Sequence, residues 1–187
     1  MKRALKWIIG IVAAAIIMVF AAYGYYGGFR TPAVAVENTG GETFVYENMI
    51  GDYAQSPKYM DDVYYFLRDE LGIHTTKCVG VYLDHPDEVA VDERRSEVGC
   101  ILDNTVDSIT MAKIEERYNV HDLPYGTYVT TVWPNKGRMS IVIGIIKVYP
   151  AMERYIQENG YIETGPVMEV YDQPTKQIIY RQKVAKR

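Results

Sequence analysis

The chain is poor in the groups that most enzymatic chemistry needs. Its three histidines, His74, His85 and His121, are scattered without metal-ligand spacing, so no zinc site is expected and none of the 187 residues is read as a metal ligand. A nucleophile elbow, a P-loop and a dinucleotide-binding fingerprint are all missing, so nothing points to a cofactor. There is no basic stripe or arm, so no nucleic-acid partner is expected. Acids are missing from residues 1–30, which carry four basic side chains. The remainder holds 16 Lys and Arg against 24 Asp and Glu, a net charge of −8. A charge of that sign repels nucleic acid and anionic lipid, mildly favours cationic ligands, and also keeps a domain soluble.

One long apolar run is present. Residues 7–26 contain no charge and, as a helix of roughly 20 residues, would span a ~30 Å hydrocarbon core. Lys2, Arg3 and Lys6 precede the run and only Arg30 follows closely. The positive-inside rule then predicts a cytoplasmic N-terminus and a domain on the extracytoplasmic side. Tyr23, Tyr25 and Tyr26 would sit in the headgroup belt. A cleaved signal peptide is the rival reading, with Ala33-Val34-Ala35 as its site. That site lies far beyond the apolar core, which favours an uncleaved anchor. Residues 31–41, with Pro32, Gly40 and Gly41, read as a linker, leaving 42–187 as the domain.

Within the domain a short pattern occurs twice, Val81-Tyr82-Leu83-Asp84-His85-Pro86 and Glu169-Val170-Tyr171-Asp172-Gln173-Pro174. Each copy follows a helix-like stretch that stops at a glycine, Gly72 or Gly160. The order of elements also repeats. Residues 42–49, 77–83 and 96–102 read as strands around a helix from Ser56-Pro57 to Leu71. Residues 128–133, 167–171 and 177–182 read as strands around a helix over 140–158 that Pro150 interrupts. A short helix is expected over 109–118. Two strand-helix-strand-strand modules, about 42–103 and 124–183, are too few for a solenoid. They predict an α+β fold with a pseudo-two-fold pair around a central groove.

The copies differ at one informative position. Gly80 precedes Val81-Tyr82 in the first, whereas Glu169 precedes Val170-Tyr171 in the second. A carboxylate thus enters an apolar and aromatic strand, where burial is costly without a partner. The two cysteines, Cys78 and Cys100, face each other if strands 77–83 and 96–102 pair antiparallel about Val89. In an oxidising compartment they could form a cross-strand disulfide, the alternative being two buried thiols. His85 reads as a loop residue, and Asp61-Asp62 and Glu115-Glu116 as solvated helix faces.

The chain resembles the GyrI-like small-molecule-binding domain, also found as the effector-binding domain of transcription regulators. The resemblance rests on Gly80-Val81-Tyr82-Leu83-Asp84, Arg95-Ser96-Glu97-Val98-Gly99 and Leu123-Pro124-Tyr125-Gly126-Thr127-Tyr128. It continues through Asn135-Lys136-Gly137, Glu158-Asn159-Gly160-Tyr161 and Gly165-Pro166-Val167-Met168-Glu169-Val170-Tyr171-Asp172. It implies two modules enclosing a groove in which a strand glutamate, here Glu169, faces a bound and often cationic aromatic ligand. Tyr155 stands where such domains often carry tryptophan.

Physically, a carboxylate walled by aromatic rings receives cations, each ring adding about 0.5–2 kcal/mol of cation–π attraction when dry. The strand aromatics Tyr46, Tyr82, Tyr128, Trp133 and Tyr171 are the expected walls. The leading reading is a membrane-anchored domain that captures an apolar or cationic small molecule without catalysis. The resemblance also permits a hydrolase, since some such domains act on reactive natural products, with Glu169 as general acid or base. A third reading is a membrane-tethered protein-interaction module of unknown partner.

Overall fold

The computed structural model describes residues 2–187, with side chains from Leu5 onward. The side chains of Lys2 and Arg3, which carry the orientation reading, lie outside the described residues. Helix α1, Lys2–Tyr25, contains a 21-residue stretch, Leu5–Tyr25, that is long and apolar enough to cross a membrane. None of the apolar window within that stretch is buried by the rest of the protein.

Beyond α1 the chain forms β1 (Val34–Thr39), β2 (Thr43–Ile50), α2 (Ser56–Tyr65), β3 (Lys77–Tyr82) and β4 (Arg95–Ile101). These are followed by α3 (Ser108–Glu115), β5 (Asn119–Asp122), β6 (Gly126–Pro134), α4 (Arg138–Glu158), β7 (Tyr161–Asp172) and β8 (Gln177–Lys186). Pro57 sits in the first turn of α2, where its missing N–H would have had no partner. Gly72 and Gly160 follow the helical segments with φ of 68° and 67°, the left-handed turn that ends a helix.

All eight strands lie in one antiparallel sheet, in the order β1-β6-β8-β7-β3-β4-β2-β5. Read outward from the middle, β7, β8, β6 and β1 mirror β3, β4, β2 and β5. The repeat equates Tyr82 with Tyr171 and hence Gly80 with Glu169. The β3–β7 register pairs Gly80 directly with Glu169, so the pseudo-two-fold axis runs between these two residues. The position that breaks the sequence repeat is the centre of the molecule.

Period-two alternation divides the sheet into two faces. One packs on the helices: Val45 and Cys100 against Val63, Leu67 and Ile114, and Val129, Trp133, Ile178 and Tyr180 against Val148, Met152 and Ile156. The other carries Phe44, Val79, Val81, Met168 and Val170 in a cluster with Leu123 and Tyr128. Across it Arg181 of β8 bonds Glu42 at the start of β2, 2.8 Å, and ties the two modules together.

Two expectations need correction. Residues 31–41 are not only a linker, because Val34–Thr39 pairs along its whole length with β6. The free edge of β6 supplies the backbone partners that six residues of extended chain need. Residues 119–122, to which the sequence pattern assigned no element, form β5 against β2. Helix α4, expected to turn Ile141, Ile145, Val148, Met152, Tyr155 and Ile156 inward, does so except at Ile145. Ser140, Ile143, Gly144, Val148, Met152 and Ile156 point inward, while Ile145 is exposed. The cause is close approach: a Cβ at Gly144 would lie 2.8 Å from both Trp133 Cδ1 and Tyr180 Oη. The helix therefore turns its smallest residues to the sheet and leaves Met139, Val142, Ile145 and Ile146 outward. Pro150 removes the donor for the Ile146 carbonyl, yet α4 continues through it.

Candidate functional site

Glu169 lies in the middle of β7 on the helix-covered face, and its residue is only 3 % exposed. Two tyrosine hydroxyls hold its carboxylate. Tyr149 of α4 donates to Oε1 at 2.8 Å, and Tyr171, two residues along the strand, donates to Oε2 at 2.6 Å. These are charge-assisted bonds, short for that reason. Tyr180 stands opposite Glu169 across the β7–β8 ladder, with its ring edge-on to Tyr149 at 5.7 Å. The Tyr180 hydroxyl is buried and has no hydrogen-bond partner. On the other side of the axis the Tyr82 hydroxyl folds over Gly80, where a Cβ would come within 2.8 Å of it. Tyr82 also packs on Tyr53 at 4.7 Å.

Among the described residues no lysine, arginine or histidine pairs with Glu169. Burial raises its carboxyl above the ordinary value, and the bonds from Tyr171 and Tyr149 oppose that shift without cancelling it. The magnitudes agree with this outcome. Taking a carboxylate out of water costs several kcal/mol even after relaxation, and each hydrogen bond to a charged group returns about 1.5–3 kcal/mol. Burial and the Glu169 charge push Tyr149 and Tyr171 well above their ordinary value, so both remain protonated donors.

Of the five expected aromatic walls, Tyr82 and Tyr171 share the face and the neighbourhood of Glu169. Tyr46 and Tyr128 lie on the opposite face, within the cluster around Phe44 and Val170, because strand alternation sends them the other way. Trp133 shares the helix face but is buried beneath the start of α4, where its Nε1 donates to the Ser140 carbonyl at 3.0 Å. Tyr149 and Tyr180 take their places. Tyr180 had a signal: a hairpin closing between Asp172 and Gln177 puts residue 180 opposite residue 169. Tyr149 had none, since its reach depends on how closely α4 approaches the sheet at Gly144. Cys78 and Cys100 are directly opposed on β3 and β4, both thiols free and their Sγ atoms 2.9 Å apart.

Two clefts occur elsewhere, and Glu169 lines neither. One, of about 330 Å³, opens beside the end of α1 against Trp133 and Lys136. The other, of about 180 Å³, lies on the opposite sheet face among Val81, His121, Pro166 and Met168.

The family described as the GyrI-like small molecule binding domain matches residues 34–182, well over half of the chain. The protein belongs to the GyrI-like family. The match opens at Val34, the first residue of β1, so the GyrI-like domain includes the strand that pairs with β6. Among solved structures, the C-terminal domain of EcmrR is similar at 17 % identity and a TM-score of 0.63, covering 83 % of this chain and 99 % of that one. SAV2435 bound to tetraphenylphosphonium is similar at 12 % identity and a TM-score of 0.52, covering 82 % and 94 %. A hydrolase from Listeria innocua is similar at 13 % identity and a TM-score of 0.54, covering 87 % and 98 %. At such identities the likeness is one of fold. Among curated proteins none matches the chain. Glu169 and its tyrosines thus lie at the module junction of a GyrI-like domain.

Proposed function

We propose that the GyrI-like domain captures an apolar or cationic small molecule between its modules, with Glu169 as the countercharge. The observation that carries this reading is a buried carboxylate that has tyrosine donors and no basic partner among the described residues. A lipophilic cation supplies the missing charge and keeps the site dry, while Tyr82, Tyr149, Tyr171 and Tyr180 offer ring faces. The unpartnered Tyr180 hydroxyl is a further group that a ligand can satisfy. Entry requires the Tyr149 or Tyr171 hydroxyl, each bonded to the Glu169 carboxylate, to yield to the ligand. Helix α1 holds the domain to a membrane, with the domain on the extracytoplasmic side.

Tetraphenylphosphonium, the ligand of one structural relative, is the probe for this reading. Calorimetric titration of the full chain in detergent should detect binding. Glu169→Gln, which keeps the shape and removes the charge, should weaken it by roughly 1–3 kcal/mol. Affinity for neutral triphenylphosphine oxide should be unchanged. Equal affinity of wild type and variant for the cation would remove Glu169 from the site.

A hydrolase is the second reading, favoured by the upward shift of the Glu169 carboxyl, which suits a general acid or base. For an enzyme, Glu169→Gln leaves affinity nearly intact and slows turnover by about 10²–10⁴-fold.

A further inference from the structure

The cleft of about 330 Å³ beside the end of α1 lies away from Glu169, and its walls include Tyr25, Arg30, Trp133, Lys136, Thr175 and Lys176. Three of its lining residues are cations and none is an acid, although residues 31–187 carry a large excess of acids. One of the three cations is held in place by the backbone. Lys136 donates to the Tyr25 carbonyl at 3.0 Å and sits 4.3 Å from the Tyr25 ring centre. Lys147 of α4 donates to the carbonyls of Gly28 and Arg30, which fixes the chain leaving α1 against α4. Lys176 has φ of 51°, a left-handed conformation uncommon for lysine, and its carbonyl accepts from Asn135 N at 2.8 Å. Among the described residues Arg30 and Lys176 form no ion pair.

Tyr25 is the last residue of the apolar stretch of α1. The cleft therefore lies at the level where α1 leaves a bilayer and where lipid phosphates stand. Next to it, α4 exposes Met139, Val142 and Ile146, whose spacing puts them on one helix face. An arginine fork, two ammonium groups and the Thr175 hydroxyl suit a phosphate, which offers several acceptor oxygens and a negative charge. We propose that this cleft binds the phosphate headgroup of an anionic phospholipid in the leaflet where α1 emerges. Asp172, whose carboxylate accepts from Thr175 N at 3.1 Å, is an acid next to the cleft and is outnumbered there by three cations, while salt screens charges beyond about 8–10 Å.

The inference rests on α1 crossing a membrane, and incorporation is therefore measured first. The full chain is placed in lipid nanodiscs of phosphatidylcholine with a minor share of phosphatidylglycerol. Lipid that remains bound on detergent release is then identified by native mass spectrometry. Wild type should retain phosphatidylglycerol in preference to phosphatidylcholine. Arg30→Gln/Lys176→Gln, which removes two side chains without hydrogen-bond partners among the described residues, should lower that retention roughly twentyfold. Its melting temperature should match that of wild type. Lys58→Gln/Lys113→Gln makes the same charge change on α2 and α3 and should retain as much lipid as wild type. An equal loss in both double variants would make the preference a bulk-charge effect and overturn the site. Displacement of the lipid by an equal concentration of inorganic phosphate would assign the cleft to a free anion and overturn the lipid reading. Incorporation without any preference would overturn the site alone, whereas failure to incorporate would overturn the anchor and the site together.

Discussion

Glu169 and Asp84 show how two carboxylates of one repeated unit are driven in opposite directions. Asp84 ends β3 and accepts from the backbone N–H and the guanidinium of Arg95. Arg95 holds its carboxyl down at about 2. Glu169 has no cation, and burial holds its carboxyl up. The sign for stability follows from each direction. A raised folded value means that the folded state keeps its proton longer, so this contribution is fully present below the ordinary value of 4.5 and is lost as pH rises through the folded value. The stabilisation from Asp84 is present above its ordinary 3.8 and lost as pH falls through about 2. Thermal melts of wild type and Glu169→Gln should therefore diverge in a defined way. Relative to the variant, wild type gains stability as pH falls from neutral and levels off below about 4.5. A constant difference across that range would mean that Glu169 carries no shifted proton.

Strand β1 is the element whose importance the sequence conceals. Val34 and Val36 pack on the cluster formed by Val129, Trp133 and α4, and all six residues of the strand pair with β6. A fragment starting at residue 31 should fold as the domain does. One starting at residue 42 should lose about 2 kcal/mol or more from the exposed valine contacts and present β6 as an open edge prone to association. Urea unfolding and light scattering of the two fragments compare them directly, and equal stability would reduce β1 to decoration. The β3–β4 pair offers a second test. With Cys78 opposite Cys100 and their sulfurs in contact, export to an oxidising compartment should join them. Closing that loop should add about 3 kcal/mol. Peptide mapping of the exported protein without reductant checks the link, and free thiols at both positions would exclude it.

At the scale of the whole molecule the pseudo-two-fold axis explains why one carboxylate suffices. Gly80 and Glu169 meet on the axis, so a second glutamate at residue 80 would put like charges face to face in a buried site. The first module contributes a glycine and an overlying tyrosine, the second a carboxylate and its donors. Helix α1 projects from this body with its apolar surface uncovered. A reporter fused after Arg187 should be active only outside the cytoplasm, given the basic residues before the span. Activity only inside would reverse the orientation and remove the setting for the disulfide.

Local periodicity made much of this legible. The repeat, the glycine stops at Gly72 and Gly160, the pairing of Cys78 with Cys100 and the oddity of Glu169 all follow from short-range pattern, because helix ends and hairpin registers depend on nearby residues. What surrounds Glu169 does not. Alternation shows that Tyr46 and Phe44 share a face, but not that the helices cover the other one. Strand β1 pairs with β6 across the whole first module, and its six residues look like linker because an edge strand borrows its partner from a distant segment. Tyr149 reaches Glu169 only because Gly144 lets α4 settle onto Trp133 and Tyr180. The sequence by itself thus determined the two-fold plan and its central carboxylate, while tertiary packing alone decided which tyrosines enclose that carboxylate, because helix approach and sheet facing depend on contacts between residues far apart in the chain.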